Sequence, residues 1–107
     1  MTALRLTEAQ FQQRVLETAA IHGWRYAHFR PARTVHGWRT PVQGYPGVPD
    51  LLLARHGVIL LTELKTDTGR PTTEQLAWLE QLGNHGRLWR PRDWDQVHAE
   101  LSRPKEH

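Results

Sequence analysis

Cysteine is absent from the 107 residues. Disulfide scaffolds, thiolate zinc sites and cysteine nucleophiles are therefore excluded, and a reducing compartment suits the chain. Lysine is nearly absent too, with two residues against twelve arginines, and the formal charge is +3 with seven histidines neutral. Long apolar runs are missing: none exceeds the four residues of Val58–Leu61, far short of a membrane span. The opening MTALRLTEAQ lacks the apolar stretch of a signal peptide, so the expectation is a cytoplasmic chain that meets no membrane. The length is too small for a TIM barrel or a full doubly wound dinucleotide fold. It predicts one domain over 1–107, with a core from about 7 to 101 and a frayed tail at 102–107.

Arginine dominates what is present. A guanidinium pairs bidentately with phosphate oxygens, which favours a nucleic-acid partner. On charge alone a merely basic, soluble surface remains open.

Thr7-Glu8-Ala9-Gln10 fits a capping box, and Phe11, Val15 and Ala19, with Leu16 and Ala20 beside them, recur at helical spacing up to Gly23. A helix is predicted over about 7–22. Trp24 to Arg30 alternates and is rich in aromatics, as in a strand. Residues 31–49 hold four prolines and three glycines and read as a long irregular loop. Its Arg33, His36, Trp38, Arg39 and Tyr45 suit phosphates and bases, although a disordered surface loop with incidental arginines has the same composition.

Asp50–Arg55 and Val58–Lys65 are apolar runs joined by His56-Gly57, a hairpin signal between two central strands. Thr72-Thr73-Glu74-Gln75 is a second capping box, and Leu76, Leu79 and Leu82 follow on one stripe until Gly83 or Gly86. Arg87–Arg90 reads as a last short strand. Asp93 is placed to cap a final helix over 94–102, with Trp94, Val97, His98 and Leu101 facing inward. Trp78 and Trp89 read as core or interface aromatics, and the histidines show no zinc-like spacing. The predicted order is α-β-β-β-α-β-α, an α/β or α+β domain around a four-stranded mixed sheet flanked by helices.

A two-residue hairpin loop sets Arg55 opposite Val58, so opposed residues carry numbers that sum to 113. Asp50 then lies opposite Glu63 on one face, with Cβ atoms roughly 4.5–5.5 Å apart, and Lys65 follows on the same face. A three-residue loop would spoil this. Two carboxylates so placed repel, and burial raises the cost. A divalent cation, a lysine or a shared proton relieves it. Mg²⁺ is satisfied by one or two carboxylates with waters and phosphate oxygens. Two acids and one base leave the site short of positive charge, the profile of a metal-dependent phosphodiester hydrolase. A salt-bridged trio without catalysis is the plain structural alternative.

Pro49-Asp50, twelve residues, then Glu63-Leu64-Lys65 resembles the PD-(D/E)XK nuclease signature on its hairpin. The resemblance widens with Thr7-Glu8, Phe11-Gln12, Gly23-Trp24, His28-Phe29-Arg30, Gly47-Val48-Pro49-Asp50, Lys65-Thr66, Gly69, Gln75 and Leu88-Trp89-Arg90-Pro91. Together these look like the VRR-NUC domain, the virus-type replication–repair nuclease, over residues 7–101. The chain is most similar to the compact stand-alone form of phages and bacteria. The resemblance implies a restriction-endonuclease-like core and a DNA endonuclease using Mg²⁺ or Mn²⁺, in a bacterial or phage-infected cytoplasm. It implies metal ligation by Asp50, Glu63 and the backbone carbonyl of Leu64, with Lys65 orienting the attacking water or offsetting charge on the phosphate.

Under the same resemblance Glu8 leans in from the first helix and binds metal directly or through water. The alternative is a carboxylate favoured at a helix N-terminus. Gln75 sits beside the site, or serves only its capping box, or does both. His28 is a phosphate contact or base, or a satisfied structural histidine. Arg30, Arg33, Arg39 and Arg70 are candidate DNA contacts or solvated surface. The implied reaction is in-line attack of water on phosphorus, leaving 5′-phosphate and 3′-hydroxyl ends. The implied partners are DNA, branched by preference as for a Holliday junction resolvase, and a second copy of the chain, since a two-fold pair of sites suits a four-way junction. No small-molecule cofactor is expected. Cutting of flaps, nicks or linear duplex, and a catalytically silent DNA-binding module, are the alternatives.

Overall fold

Thr7 opens helix α1 (Glu8–Ile21) through the expected capping box: its hydroxyl accepts from the Gln10 N–H at 3.1 Å, and Gln10 Oε1 accepts from the Thr7 N–H at 2.9 Å. The computed structural model describes residues 5–29, 32–35, 37–39 and 43–104, with 32–34, 38 and 39 through their backbone. The predicted tail lies partly outside these.

Strand β1 (Arg25–His28) follows α1 and is shorter than the predicted 24–30. Trp24 is instead drawn into the core at 6% exposure, its indole N–H donating to the Leu101 carbonyl at 2.9 Å. The stretch expected to be irregular carries an antiparallel pair, β2 (Ala32–Thr34) and β3 (Gly37–Arg39), which forms a separate two-stranded sheet. Thr34, Val35 and Trp38 supply the β-branched and aromatic character that the surrounding prolines obscure.

Strands β4 (Leu51–Arg55) and β5 (Val58–Leu64) form the central hairpin. Helix α2 (Thr73–Leu82) then crosses to β6 (Gly86–Trp89), and α3 (Trp94–Leu101) ends the fold. The main sheet has the order β1-β4-β5-β6, antiparallel except for the β5–β6 pair, which the α2 crossover makes parallel. Among the described residues the architecture is α+β, with a four-stranded mixed sheet and three α-helices. No helix among the described residues is long and apolar enough to cross a membrane.

Leu51, Leu53, Leu60 and Leu64 alternate along the hairpin and share one face. They pack with Phe11, Val15 and Ala19 of α1, Val97 and Leu101 of α3, and Trp89. This is the core. On the opposite face α2 packs against β6. A Cβ at Gly86 would stand 3.1 Å from Leu82 Cβ and 3.3 Å from Leu79 Cδ2, so the helix is seated there by its last two leucines. Leu76, predicted on the same inner stripe, is 51% exposed.

Two further expectations at the C-terminus are corrected. Asp93 takes the expected N-cap position of α3, but its side chain does not cap the helix. Its carboxylate turns back to accept from the Arg90 N–H at 3.1 Å and closes the short 3₁₀ turn of Pro91–Asp93. His98 does not face inward either. It is exposed beside Trp94 and meets the His22 ring edge-on. Ala20 likewise stays outside the core.

Candidate metal and phosphate site

The central hairpin sets the register on which the site depends. His56 and Gly57 both take positive φ, 51° and 81°, as a two-residue mirror-image turn requires. Arg55 pairs with Val58 and Leu51 with Thr62, so position 50 falls beside position 63 as the next rung. The β1–β4 pairing also runs one rung on, the Phe29 N–H donating to the Asp50 carbonyl at 2.8 Å, which fixes the Asp50 backbone. Pro49 is fully buried behind it.

Glu63 is 4% exposed near the end of β5. Its Oε1 meets Lys65 Nζ at 3.3 Å and accepts from Gln75 Nε2 at 2.9 Å. The Lys65 N–H donates to the Trp89 carbonyl at 3.1 Å, which continues the parallel ladder past β5 and holds that backbone still. Leu64, between the two, has its side chain in the core.

Gln75 performs both of its candidate roles at once. Its Oε1 accepts from the Thr72 N–H at 2.8 Å in the capping box, and its Nε2 is thereby free to reach Glu63. One amide caps a helix and holds a site carboxylate.

Asp50 has one oxygen, Oδ2, 3.9 Å from His28 Nε2. The other, Oδ1, is buried and has no hydrogen-bond partner among the described residues. His28 Nδ1 lies 3.3 Å from Gln12 Nε2, so α1 orients the ring through Gln12. Glu8 is exposed on the first turn of α1 with no hydrogen bond or ion pair among the described residues, yet its charge acts on both acids.

The electrostatics follow from this crowding. Burial pushes the Glu63 carboxyl up to about 7, Asp50 and Glu8 add to the rise, and Lys65 opposes it. Asp50 is also raised, first by burial and then by Glu8, against the lowering effect of His28 and Lys65. Both acids are thus short of positive charge, and Lys65 does not make up the deficit.

The loop after Lys65 is fastened by groups that the sequence alone did not single out for this purpose. Arg90 Nη1 donates to the carbonyls of Thr66 and Gly69, each at 2.6 Å. The Arg92 N–H donates to Asp67 Oδ1 at 2.9 Å. Arg70, at the end of that loop, is exposed with no partner among the described residues. Arg30 and His36 lie outside the described residues, as do the side chains of Arg33 and Arg39.

Among the described residues no group of three or more His, Cys, Asp or Glu side chains is arranged to hold a metal ion. The fit to a divalent cation rests on two carboxylates. The buried Asp50 Oδ1 lacks a partner, and the neighbouring Glu63 holds its proton up to about 7. A hard cation that completes its shell with water and phosphate oxygens needs no more protein ligands than these. No family model, no curated protein and no solved structure matches the chain.

Proposed function

We propose that the chain is a metal-dependent DNA endonuclease of the PD-(D/E)XK type, similar to the VRR-NUC domain, with Asp50, Glu63 and Lys65 at its centre. The observation that carries this is the convergence of a buried acid, a half-buried acid and one ammonium at the open end of a hairpin, with both carboxyls raised above their ordinary range. Lys65 stands 3.3 Å from Glu63, where it can hold the attacking water or offset charge on the phosphate. Gln75 keeps the Glu63 carboxylate in place, and Gln12 orients the His28 ring, whose Nε2 stands 3.9 Å from Asp50.

Asp50, Glu63 and the carbonyl of Leu64 would hold Mg²⁺ or Mn²⁺. When bound, the ion supplies an acidified water and neutralises charge on the scissile phosphate. Displacement of the 3′-oxygen leaves 5′-phosphate and 3′-hydroxyl ends. Arg70 and the arginines at 30, 33 and 39 would contact the backbone, which favours recognition of DNA shape over sequence. A homodimer with two-fold-related sites would cut a four-way junction symmetrically.

The test is cleavage of labelled four-way junction, flap, single strand and duplex with Mg²⁺ or Mn²⁺. Asp50→Ala and Lys65→Ala are expected to abolish cutting and to leave DNA binding in EDTA intact. Wild-type rates in both variants would overturn the assignment.

A further inference from the structure

A second feature lies next to the acid pair and is not used by it. Between α2 and the turn at residues 45–46 there is a hollow of about 440 Å³, lined by Tyr45, Pro46, Glu74, Ala77, Trp78 and Gln81. Its size is that of a small-ligand site. Part of its wall is tied in place. The Trp78 indole N–H donates to the carbonyls of Pro46 at 3.0 Å and Tyr45 at 3.3 Å, which locks ring and turn together. The turn docks so tightly on α2 that a Cβ at Gly47 would come within 2.7 Å of Glu74. Tyr45, also in the lining, is 83% exposed.

We propose that this hollow receives one unstacked nucleobase of the DNA strand being cut. The inference rests on the nuclease function proposed above and adds a preference for substrates with unpaired positions. Three observations favour a base. The wall is aromatic and apolar, which suits the π face of any base. The one charged group in the lining is the Glu74 carboxylate, which repels phosphate but accepts from ring N–H and amino groups. Glu74 and Gln81 make no hydrogen bond or ion pair among the described residues, so both are free to meet a base edge.

Placement links the hollow to the acid pair. Glu74 lines it, while the next residue, Gln75, holds Glu63. Tyr45 precedes Asp50 by five residues, a span of at most about 18 Å even when fully extended. A base in the hollow and a phosphate at Asp50 and Glu63 therefore belong to the same short stretch of strand. Bases of an intact duplex are stacked and paired, so bubbles, flaps and junction centres are the substrates that fill it.

The experiment uses the full chain in EDTA and two DNAs. One carries 2-aminopurine at an unpaired position of a small bubble, and the other is the fully paired duplex. Wild type is expected to quench the unpaired 2-aminopurine and to prefer the bubble. Tyr45→Ala, and separately Ala77→Trp, which fills the hollow from the helix surface, are expected to lower that preference about 10-fold, the scale of one base–aromatic stack. The same fall is expected in the ratio of bubble to duplex cleavage with Mg²⁺. Absence of quenching, or an unchanged ratio in both variants, would overturn the inference while wild-type cleavage leaves the nuclease function standing. Absence of metal-dependent cleavage of any DNA by wild type would overturn both.

Discussion

Gln75 donates to the Glu63 carboxylate at 2.9 Å with the same amide whose oxygen caps α2. Helix start and site geometry are therefore one structural unit. Gln75→Ala is expected to lose the Glu63 contact and the reciprocal half of the capping box, at about 1 kcal/mol for the hydrogen bond removed, while the Thr72 hydroxyl still accepts from the backbone N–H at position 75. Gln75→Glu keeps a side chain able to serve the capping box but sets a third acid against Glu63. Its thermal midpoint in acid should stay near wild type, while cleavage falls at least 10-fold at neutral pH and its pH profile moves upward. Melting curves and pH–rate profiles separate the two.

Glu63 gives a pH signature with a definite sign. Its folded value, about 7, lies above the ordinary 4.5. Between these values the folded chain binds more protons than the unfolded chain. Stability from this group is therefore present in acid and is lost as pH rises through that window. In EDTA at pH 8, Glu63→Gln should be more stable than wild type by on the order of 3 kcal/mol. The gap should close toward pH 4. Denaturant titrations at both pH values check this, and a gap independent of pH would contradict it.

Arg55 ties the two helix C-termini to the sheet. It donates to the carbonyls of His22 at 3.1 Å, Leu101 at 3.2 Å and Arg103 at 2.6 Å, and its guanidinium lies 4.6 Å from the Trp24 ring centre. Arg55→Ala should cost about 2–3 kcal/mol, the scale of a charged hydrogen bond together with lost stacking. Specific activity below the melting range should hold, because the clasp lies at the opposite end of β4 from Asp50.

The Thr62 hydroxyl is buried without a hydrogen-bond partner among the described residues. Thr62→Val keeps the shape and removes the orphaned group. A gain of about 1 kcal/mol in denaturant unfolding is expected, with no change in cleavage.

Local chemistry explains what could be read from the sequence. Both capping boxes involve residues three apart, and the hairpin register follows from a two-residue turn, so Asp50 beside Glu63 could be placed from numbering alone. Contacts between distant segments could not. Arg90 reaches carbonyls 21 and 24 residues away, and Gln12 finds His28 across 16, with no spacing rule to announce either. A helical stripe also says which side chains share a face but not how far the surface beneath them extends, which is why Leu76 and His98 lie outside the core. Prolines hid the β2–β3 pair because they dominate the composition of the stretch without occupying its paired residues.

The His56-Gly57 turn acts as a ruler as well as a connection. Its side chains can vary as long as both positions tolerate positive φ, but its length cannot change. One inserted residue would shift the phase of β5 against β4, carry Leu64 out toward solvent and drive Glu63 into the leucine layer. Evolution or design can therefore alter the outer surface of this hairpin freely, while a change of a single residue in its length would remove the acid pair.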